Sequence, residues 1–184
     1  MSVFTPDIML GDITQIDRAF LSANQIRGLV LDVDNTLTAH GSQLVRPEVG
    51  KWIARMDAAG IKMMIVSNNT YDRVKPFADK LGLDFVSMGC KPLTIGLTKA
   101  QKQFRLPVRE IAVVGDQIYT DVVAGNLKGM LTVLVKPFIM EEGAFFRLKR
   151  GLETVHIRAY LRRKEAGLTL DSPGNYRKKD GTSI

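Results

Sequence analysis

The chain contains a single cysteine, Cys90, and only two histidines, His40 and His156, among its 184 residues. One cysteine excludes an internal disulfide framework and is typical of a protein from a reducing compartment. So few thiols and imidazoles also argue against a zinc site. No apolar run approaches the roughly 18 residues of a membrane span, and the N-terminus lacks the basic start and apolar core of a signal peptide. We therefore expect a cytoplasmic protein.

Acidic residues are the scarcer charge type, and the chain carries a net charge of +7. The excess is uneven, because the segment 147–164 alone has a net charge of +6. Such a block suggests an anionic partner, either a membrane surface or nucleic acid, although on charge alone a solvated helix face is the more common explanation. An apolar stripe at helical spacing accompanies it: Phe145, Leu148, Leu152, Val155 and Ala159. We expect this stripe to dock on the rest of the protein, which leaves the basic face free for lipid.

Short apolar runs alternate with segments of helical periodicity through the middle of the chain. The runs are GLVLDV (28–33), IKMMIV (61–66), FVSM (85–88), EIAVVG (110–115) and LTVLV (131–135). Runs that are apolar on both faces and separated by helices predict a parallel sheet covered on both sides. The sequence therefore predicts an α/β fold with a doubly wound, parallel, five-stranded sheet of Rossmann-like type.

The pattern divides the chain into four segments. Residues 1–24 are predicted to form an amphipathic helical lead-in, 25–137 the α/β domain, 138–166 a basic C-terminal helix and 167–184 a disordered tail. Within the domain, the helix near 71–82 contains Pro76, which predicts that its regular part starts close to that residue.

Polar side chains follow four of the predicted strands, at the carboxyl ends where ligands bind in open parallel sheets. They are Asp32, Asp34 and Asn35 after the first run, Ser67, Asn68 and Asn69 after the second, Lys91 after the third, and Asp116 and Asp121 after the fourth. Asp32 and Asp34 would share one face of a regular strand and repel each other, so the strand must end there or a cation must lie between them. Oxygen ligands without histidine or cysteine select Mg²⁺.

These residue types support phosphoryl transfer. With Mg²⁺ present, one aspartate can act as the nucleophile on phosphorus and the other as general acid and then base. Ser67 and the amides after it can donate to phosphoryl oxygens, and Lys91 can offset the charge of carboxylate and phosphate together. Each residue alone is a weak signal, because a serine or a lysine at a strand end is most often a turn or surface residue. The ordered set at four strand ends is much less easily accidental.

The set "DVDNT", "VSNN", "CKP" and "GDQIYTD" resembles the four motifs of the haloacid dehalogenase (HAD) superfamily of phosphotransferases. The resemblance implies that Asp32 is the nucleophile that becomes aspartyl-phosphate, and that Asp34 is the general acid/base whose backbone carbonyl also touches Mg²⁺. It further implies that Asp116 ligates the metal and that Asp121 supports it. Ser67 and Lys91 would hold the phosphoryl group, with Asn35, Asn68 and Asn69 as candidate substrate contacts.

Longer stretches narrow the resemblance to the YqeG-type subfamily, which is related to the phosphatidylglycerophosphate phosphatases of the mitochondrial Gep4 type. The stretches are "LVLDVDNTL", "VSNNTYDRV", "GDQIYTDVVAGNLKG" and "LKRGLE". What the likeness implies is removal of the terminal phosphate of phosphatidylglycerophosphate. Members of the superfamily that enclose small molecules carry a cap domain. Here the 33 positions from Asp34 to Ser67 and the 24 from Ser67 to Lys91 are taken up by predicted helices and strands. The expected site is therefore uncapped and open to large substrates.

Three functions are consistent with these features. The first is a Mg²⁺-dependent phosphomonoesterase acting on a lipid headgroup, peripheral at the inner face of a membrane that its basic helix contacts. The second keeps the chemistry but acts on a soluble sugar phosphate, nucleotide or phosphoprotein, with a lid supplied by an oligomer or by a docking partner. The third is a non-catalytic module for RNA or ribosomes, which the absence of a stacking-aromatic RNA motif disfavours.

Overall fold

The computed structural model describes residues 2–138, 144–167 and 169. Its sheet has six parallel strands in the order β1-β6-β5-β2-β3-β4. The strands are β1 (Ile8–Leu10), β2 (Gly28–Leu31), β3 (Lys62–Val66), β4 (Asp84–Val86), β5 (Ile111–Gly115) and β6 (Leu131–Val135). The helices are α1 (Arg18–Ala23), α2 (Pro47–Ala58), α3 (Tyr71–Leu81), α4 (Ile95–Phe104), α5 (Val123–Lys128) and α6 (Ala144–Glu165). The doubly wound parallel sheet is as predicted, and no cap domain is inserted between these elements.

Alternate residues of the central strands face two separate helix layers. Leu29 and Leu31 of β2 belong to the core that includes side chains of α2 and α3. Val30 between them belongs to the core that includes side chains of α4 and α5. Because successive strand residues point to opposite faces, a strand covered on both sides must be apolar at every position. All four residues of β2 are buried, as this requires.

The predicted strand number was wrong by one, because the lead-in predicted as helical contains β1. This strand pairs in parallel with β6 at the edge of the sheet, with Met9 opposite Leu134. A three-residue strand has too short a pattern to reveal its period of two. Its stability comes instead from distant partners, such as the Asp7 carboxylate, which accepts hydrogen bonds from the backbone N–H and the hydroxyl of Thr132 at 2.9 and 3.0 Å. Such tertiary pairing overrides local propensity.

Helix α3 starts at Tyr71 and not near Pro76, so this expectation was also wrong. Proline removes one hydrogen bond to the carbonyl four residues earlier, which belongs to Asp72. That residue lies in the first turn and is exposed, so water can replace the lost donor. The helix ends at Gly82, whose φ of 65° gives the left-handed conformation that glycine adopts without strain.

Helix α6 docks on the domain through a different face from the predicted stripe. Its buried face includes Glu153 and Tyr160, with Ile157 packed beside them against β6. Val155 is 64% exposed and Ala159 is exposed, so both were wrongly predicted to dock. The prediction from the apolar stripe assumed that polar side chains face solvent, whereas the polar groups of Glu153 and Tyr160 have hydrogen-bond partners inside the protein. The Tyr160 hydroxyl accepts from the Met9 N–H at 3.1 Å, and Glu153 Oε1 accepts from the Ile118 N–H at 3.0 Å.

The other stripe positions, Phe145, Leu148 and Leu152, have side chains outside the described part of the structure. The predicted disordered tail lies outside it as well, apart from residues 167 and 169. Among the described residues, no helix is long and apolar enough to cross a membrane.

Replacing Glu153 should destabilise the folded protein. Glu153→Leu leaves the buried Ile118 N–H without its acceptor, so we expect the free energy of unfolding to fall by about 1–3 kcal/mol. Glu153→Gln keeps an acceptor oxygen and should lose less. Urea unfolding measures both, with Glu165→Leu at the exposed end of α6 as the control. Equal stabilities of Glu153→Leu and Glu165→Leu would contradict this role of Glu153.

Candidate active site

The two central strands, β2 and β5, bring the first and last polar clusters together. The chain leaves β2 towards β3 on one side, and β5 towards β6 on the other, so the crevice between them lies where the strand order reverses. The Asp32 N–H donates to the Val114 carbonyl of β5 at 2.9 Å, which fixes Asp32 beside the end of that strand. Ligands bind at such switch points in open α/β sheets.

Three carboxylates and one lysine form the centre of the site. Oxygens of Asp32, Asp116 and Asp121 lie within 4.8 Å of one another. The Lys91 ammonium donates to Asp32 Oδ1 at 2.7 Å and to Asp121 Oδ1 at 2.6 Å. Lys91, Asp116 and Asp121 are 6%, 1% and 2% exposed, so water screens these charges little. The structure thus brings together four of the predicted site residues.

Burial sets the electrostatics of this cluster. It raises the pKa of Asp32 to about 6, because desolvation and the nearby Asp121 carboxylate outweigh the attraction of Lys91. Burial alone would lower the pKa of Lys91, but the carboxylates of Asp121 and Asp32 reverse this and raise that pKa above its ordinary value. Lys91 therefore remains a cation, and the aspartates supply the negative charge that a metal ion would neutralise.

The loop after β5 places Asp121 across the end of the strand. A π-helical turn, Ile118–Val122, carries Asp121 back towards Gly115, and Asp121 Oδ2 accepts from the Gln117 N–H at 3.2 Å. A Cβ atom at position 115 would lie 2.2 Å from Asp121 Cγ, closer than real Cβ contacts allow. Only glycine at the end of β5 leaves room for this carboxylate.

Asp34 is not a member of the three-carboxylate cluster, and its carboxylate has other partners. Strand β2 ends at Leu31, so Asp32 and Asp34 lie beyond the regular strand, and the chain turns directly after them at Asn35, which has a φ of 59°. The Asp34 carboxylate accepts from Arg73 Nη2 at 2.7 Å, from Asn69 Nδ2 at 2.5 Å and from the Gly41 N–H at 2.8 Å. Its predicted metal contact would come from the backbone carbonyl, as the resemblance implies.

Arg73 is a site residue that the sequence analysis missed. It lies in the first turn of α3, where its positive charge opposes the helix dipole. Basic residues are disfavoured at that end of a helix, so this placement is the one signal that could have identified it. Its side chain is 17% exposed and forms a salt bridge with Asp34.

The residues after β3 play two different parts. Ser67 is 1% exposed and its Oγ accepts from the Asn69 N–H at 3.2 Å. Asn68 forms two hydrogen bonds with the backbone of Lys91, donating to its carbonyl and accepting from its N–H, both at 2.7 Å. The amides of Asn68 and Asn69 thus position Lys91 and Asp34, and their contacts with substrate stay a prediction. Asn35, also predicted as a substrate contact, is 1% exposed.

The donor set fits a hard divalent cation. Asp32, Asp116 and Asp121 offer only carboxylate oxygens, and the described residues bring no histidine or cysteine into the group. Mg²⁺ is bound in this way, by one or two carboxylates together with water and phosphate oxygens.

A surface depression of about 380 Å³ lies at the opposite end of the sheet, near the amino ends of β2 and β5. Two of its charged residues, Arg27 and Glu110, pair with each other at 2.9 Å. The candidate site residues lie instead at the carboxyl edge, away from this depression.

Comparison with known proteins places the chain among phosphatases and hydrolases of one family. A family model described as haloacid dehalogenase-like hydrolase matches residues 39–127. The chain is 35% identical to the probable phosphatase YqeG of Bacillus subtilis, over 88% of this chain and 93% of that protein. It is 31% identical to phosphatidylglycerophosphate phosphatase 1 of Arabidopsis thaliana over 86% of this chain, but spans only 48% of that relative.

A solved structure shows the same fold. It is the cobalt-bound form of the deoxy-D-mannose-octulosonate 8-phosphate phosphatase YrbI from Haemophilus influenzae. The TM-score is 0.52 at 14% identity, and the match covers 77% of this chain and 93% of that one.

Proposed function

Because the chain belongs to the haloacid dehalogenase-like hydrolases, as a phosphatase of the YqeG type, we propose that it is a Mg²⁺-dependent phosphomonoesterase that works through an aspartyl-phosphate on Asp32. The observation that carries this proposal is the buried Lys91, which joins Asp32 and Asp121 beside Asp116. This arrangement offers a nucleophilic oxygen, a cation for the phosphoryl group and a carboxylate set for the metal in one place.

The reaction divides into two displacements at phosphorus. A carboxylate oxygen of Asp32 attacks the phosphorus, and the bond to the leaving oxygen breaks while Asp34 gives that oxygen a proton. Asp34 then takes a proton from water, which attacks the phosphorus, releases inorganic phosphate and restores Asp32. Ser67 and Lys91 donate to the phosphoryl oxygens throughout. Mg²⁺, when bound by Asp32, Asp116 and Asp121, supplies positive charge that offsets the carboxylates and the phosphate.

Arg73 and Asn69 position the acid/base group. They hold both oxygens of Asp34 at 2.5–2.7 Å, so the carboxylate has a defined direction before substrate arrives. Asp34 is not placed to act as the nucleophile, because it lies outside the group formed by Asp32, Asp116 and Asp121. The two aspartates of the first motif therefore have separate roles, set by their separate partners.

The substrate we propose is phosphatidylglycerophosphate. Two observations support it: the similarity to a plant relative that is named for this substrate, and the lack of an inserted cap domain among the described elements, which would enclose a small substrate. The test is a phosphate-release screen with the purified protein that includes phosphatidylglycerophosphate in mixed micelles beside soluble sugar phosphates, nucleotides and a phosphopeptide. We expect the lipid to give the highest kcat/KM. A higher kcat/KM for a soluble ester would contradict the proposed substrate but would leave the proposed reaction unchanged.

Activity should require Mg²⁺, and Ca²⁺ should inhibit. Ca²⁺ takes more oxygen ligands in a looser geometry, so it would draw both oxygens of Asp32 into coordination and misalign the attacking one. The measurement is phosphate release after EDTA treatment, with Mg²⁺, Ca²⁺ or both added back. Full activity of the metal-depleted protein would contradict a catalytic metal site formed by Asp32, Asp116 and Asp121.

The Mg²⁺ requirement should depend on pH in the acidic range. Since the pKa of Asp32 is raised to about 6, this carboxyl binds a proton below that pH and must lose it to bind metal. We expect the Mg²⁺ concentration for half-maximal activity to rise up to tenfold for each pH unit below about 6, and to be flat above it. Mg²⁺ titrations from pH 5 to pH 8, with the fold checked by circular dichroism, measure this. A half-maximal concentration independent of pH would contradict a protonatable metal ligand.

A further inference from the structure

Five large apolar side chains are exposed at the edge of the sheet where the site opens. They are Leu44 (78%), Tyr71 (52%), Met88 (68%), Leu93 (58%) and Ile95 (52%). All five lie in segments that follow the carboxyl ends of β2, β3 and β4, as do Asp34, Ser67 and Lys91. We call these five residues the apolar rim. Single exposed apolar residues are ordinary, but a group around an active site indicates a surface that contacts something apolar.

Backbone and side-chain hydrogen bonds hold the segments of the apolar rim against one another. The Met88 N–H donates to the Asn69 carbonyl at 2.9 Å, which joins the loop after β4 to the loop after β3. Gln43 Nε2 donates to the Arg73 carbonyl at 2.9 Å, which joins the segment of Leu44 to the start of α3. Both acceptor carbonyls belong to residues whose side chains hold Asp34, namely Asn69 and Arg73. The apolar rim is therefore built onto the site itself.

These segments carry little negative charge that an anionic surface would repel. Across residues 39–46, 70–76 and 86–96 the sole acidic residue is Asp72. The segment 86–96 has a single charged side chain, that of Lys91, and Lys91 is only 6% exposed. The loop therefore presents an uncharged, apolar face to solvent, which costs little to insert at a lipid interface.

We propose that the apolar rim inserts into the interface of an anionic lipid bilayer, so that a headgroup phosphate reaches Asp32 while its lipid stays in the membrane. This rests on the proposed function and extends it to how the substrate is presented. Anything that covers the apolar rim also covers the open site, so its occupant must carry the phosphate. A lipid surface meets this condition at every point of contact, whereas a protein would need one phosphorylated side chain in register.

The basic helix α6 has a different part in this arrangement. Glu153 contacts Ile118, which follows β5, and Tyr160 contacts Met9 of β1. Because β1 and β4 are the two outer strands of the sheet, α6 extends away from the segments after β2, β3 and β4 that carry the apolar rim. At 1.5 Å per residue, the exposed Arg158 and Arg162 lie about 8 and 14 Å farther along α6 than Glu153. These distances equal or exceed the screening length of about 8 Å at physiological salt. Arg158 and Arg162 attract the protein towards the membrane at low salt, and the apolar rim holds it there.

The test is partitioning onto vesicles of phosphatidylglycerol and phosphatidylcholine, measured by co-sedimentation at low and at high salt. The rim variant is Leu44→Ser/Leu93→Ser/Ile95→Ser. The matched control is Leu127→Ser, since Leu127 is 58% exposed like Leu93 but lies near the end of α5, at the opposite edge of the sheet. We expect the rim variant to partition at least about tenfold more weakly at both salt concentrations, and the control to bind like the parent. Arg158→Gln/Arg162→Gln should weaken binding at low salt only.

Equal partitioning of the rim variant and Leu127→Ser would overturn the proposal. So would a rim variant that changes from dimer to monomer in analytical ultracentrifugation with unchanged vesicle binding, because the apolar rim would then be a contact between copies of the chain. Loss of activity on a phosphopeptide without loss of vesicle binding would assign the surface to a phosphoprotein. Vesicle binding needs no catalysis, so these results stand apart from the phosphate-release screen. A parent protein that binds vesicles but releases no phosphate from any lipid would overturn the proposed substrate and leave the membrane surface intact.

Discussion

Asp32→Asn should abolish steady-state phosphate release, lowering kcat by at least about four orders of magnitude. An amide is a poor nucleophile and cannot carry the phosphoryl group as an acyl phosphate. The hydrogen bonds from Lys91 to Asp121 and from Arg73 to Asp34 do not depend on the negative charge at position 32. The variant should therefore still bind substrate and fail only in the chemical step.

The same variant should fold at least as stably as the parent. The raised pKa of Asp32 shows that its ionised form is disfavoured in the folded state, so at neutral pH a neutral amide of equal size removes an unfavourable charge. Asp57→Asn, on the exposed end of α2, is the matched control for the change from carboxylate to amide. Thermal unfolding and labelled-phosphate trapping together measure the prediction. Normal turnover, or covalent phosphate on a pure Asp32→Asn preparation, would assign the nucleophile elsewhere.

The central sheet could be predicted because its evidence is local. Each of the strands β2 to β6 is an apolar run, and each polar site residue directly follows such a run, so chain order alone places Asp32, Ser67, Lys91 and Asp116 at one edge. Their distances could not be predicted, because they depend on register and on close approaches such as that of Asp121 to Gly115. The roles of these residues in catalysis remain predictions.

The features that the sequence analysis missed all depend on distant contacts. Strand β1 is defined by its partner β6, in which Val133 lies opposite Ile8 although it is 125 positions farther along the chain. Glu153 is buried, and its side chain accepts a hydrogen bond from the Ile118 N–H, which lies 35 positions away in the chain. The apolar rim consists of residues that look like ordinary core positions in a hydrophobicity pattern, and only their exposure distinguishes them.

Lys91→Met should remove most of the activity and also destabilise the protein when Mg²⁺ is absent. Lys91 is the cation between Asp32 and Asp121, and its side chain is 3% exposed. Methionine fills a similar volume but leaves buried carboxylates close together without a positive charge. Breaking a buried ion pair by removing one partner costs about 3–5 kcal/mol, so we expect a loss of that size in the free energy of unfolding.

Mg²⁺ should recover part of this stability but little of the activity. A divalent cation bound by Asp32, Asp116 and Asp121 neutralises the repulsion that the missing ammonium leaves, and ligand binding to the folded state raises its stability by mass action. It cannot replace the hydrogen bonds that Lys91 donates, so phosphoryl transfer should stay slow. Urea unfolding and phosphate release, each with and without Mg²⁺, separate the two effects, with Lys102→Met on the exposed side of α4 as the control. Lys91→Met has the larger unbalanced negative charge, so Mg²⁺ should stabilise it more than it stabilises Lys102→Met. Equal gains in the two variants would contradict a metal site formed by these aspartates.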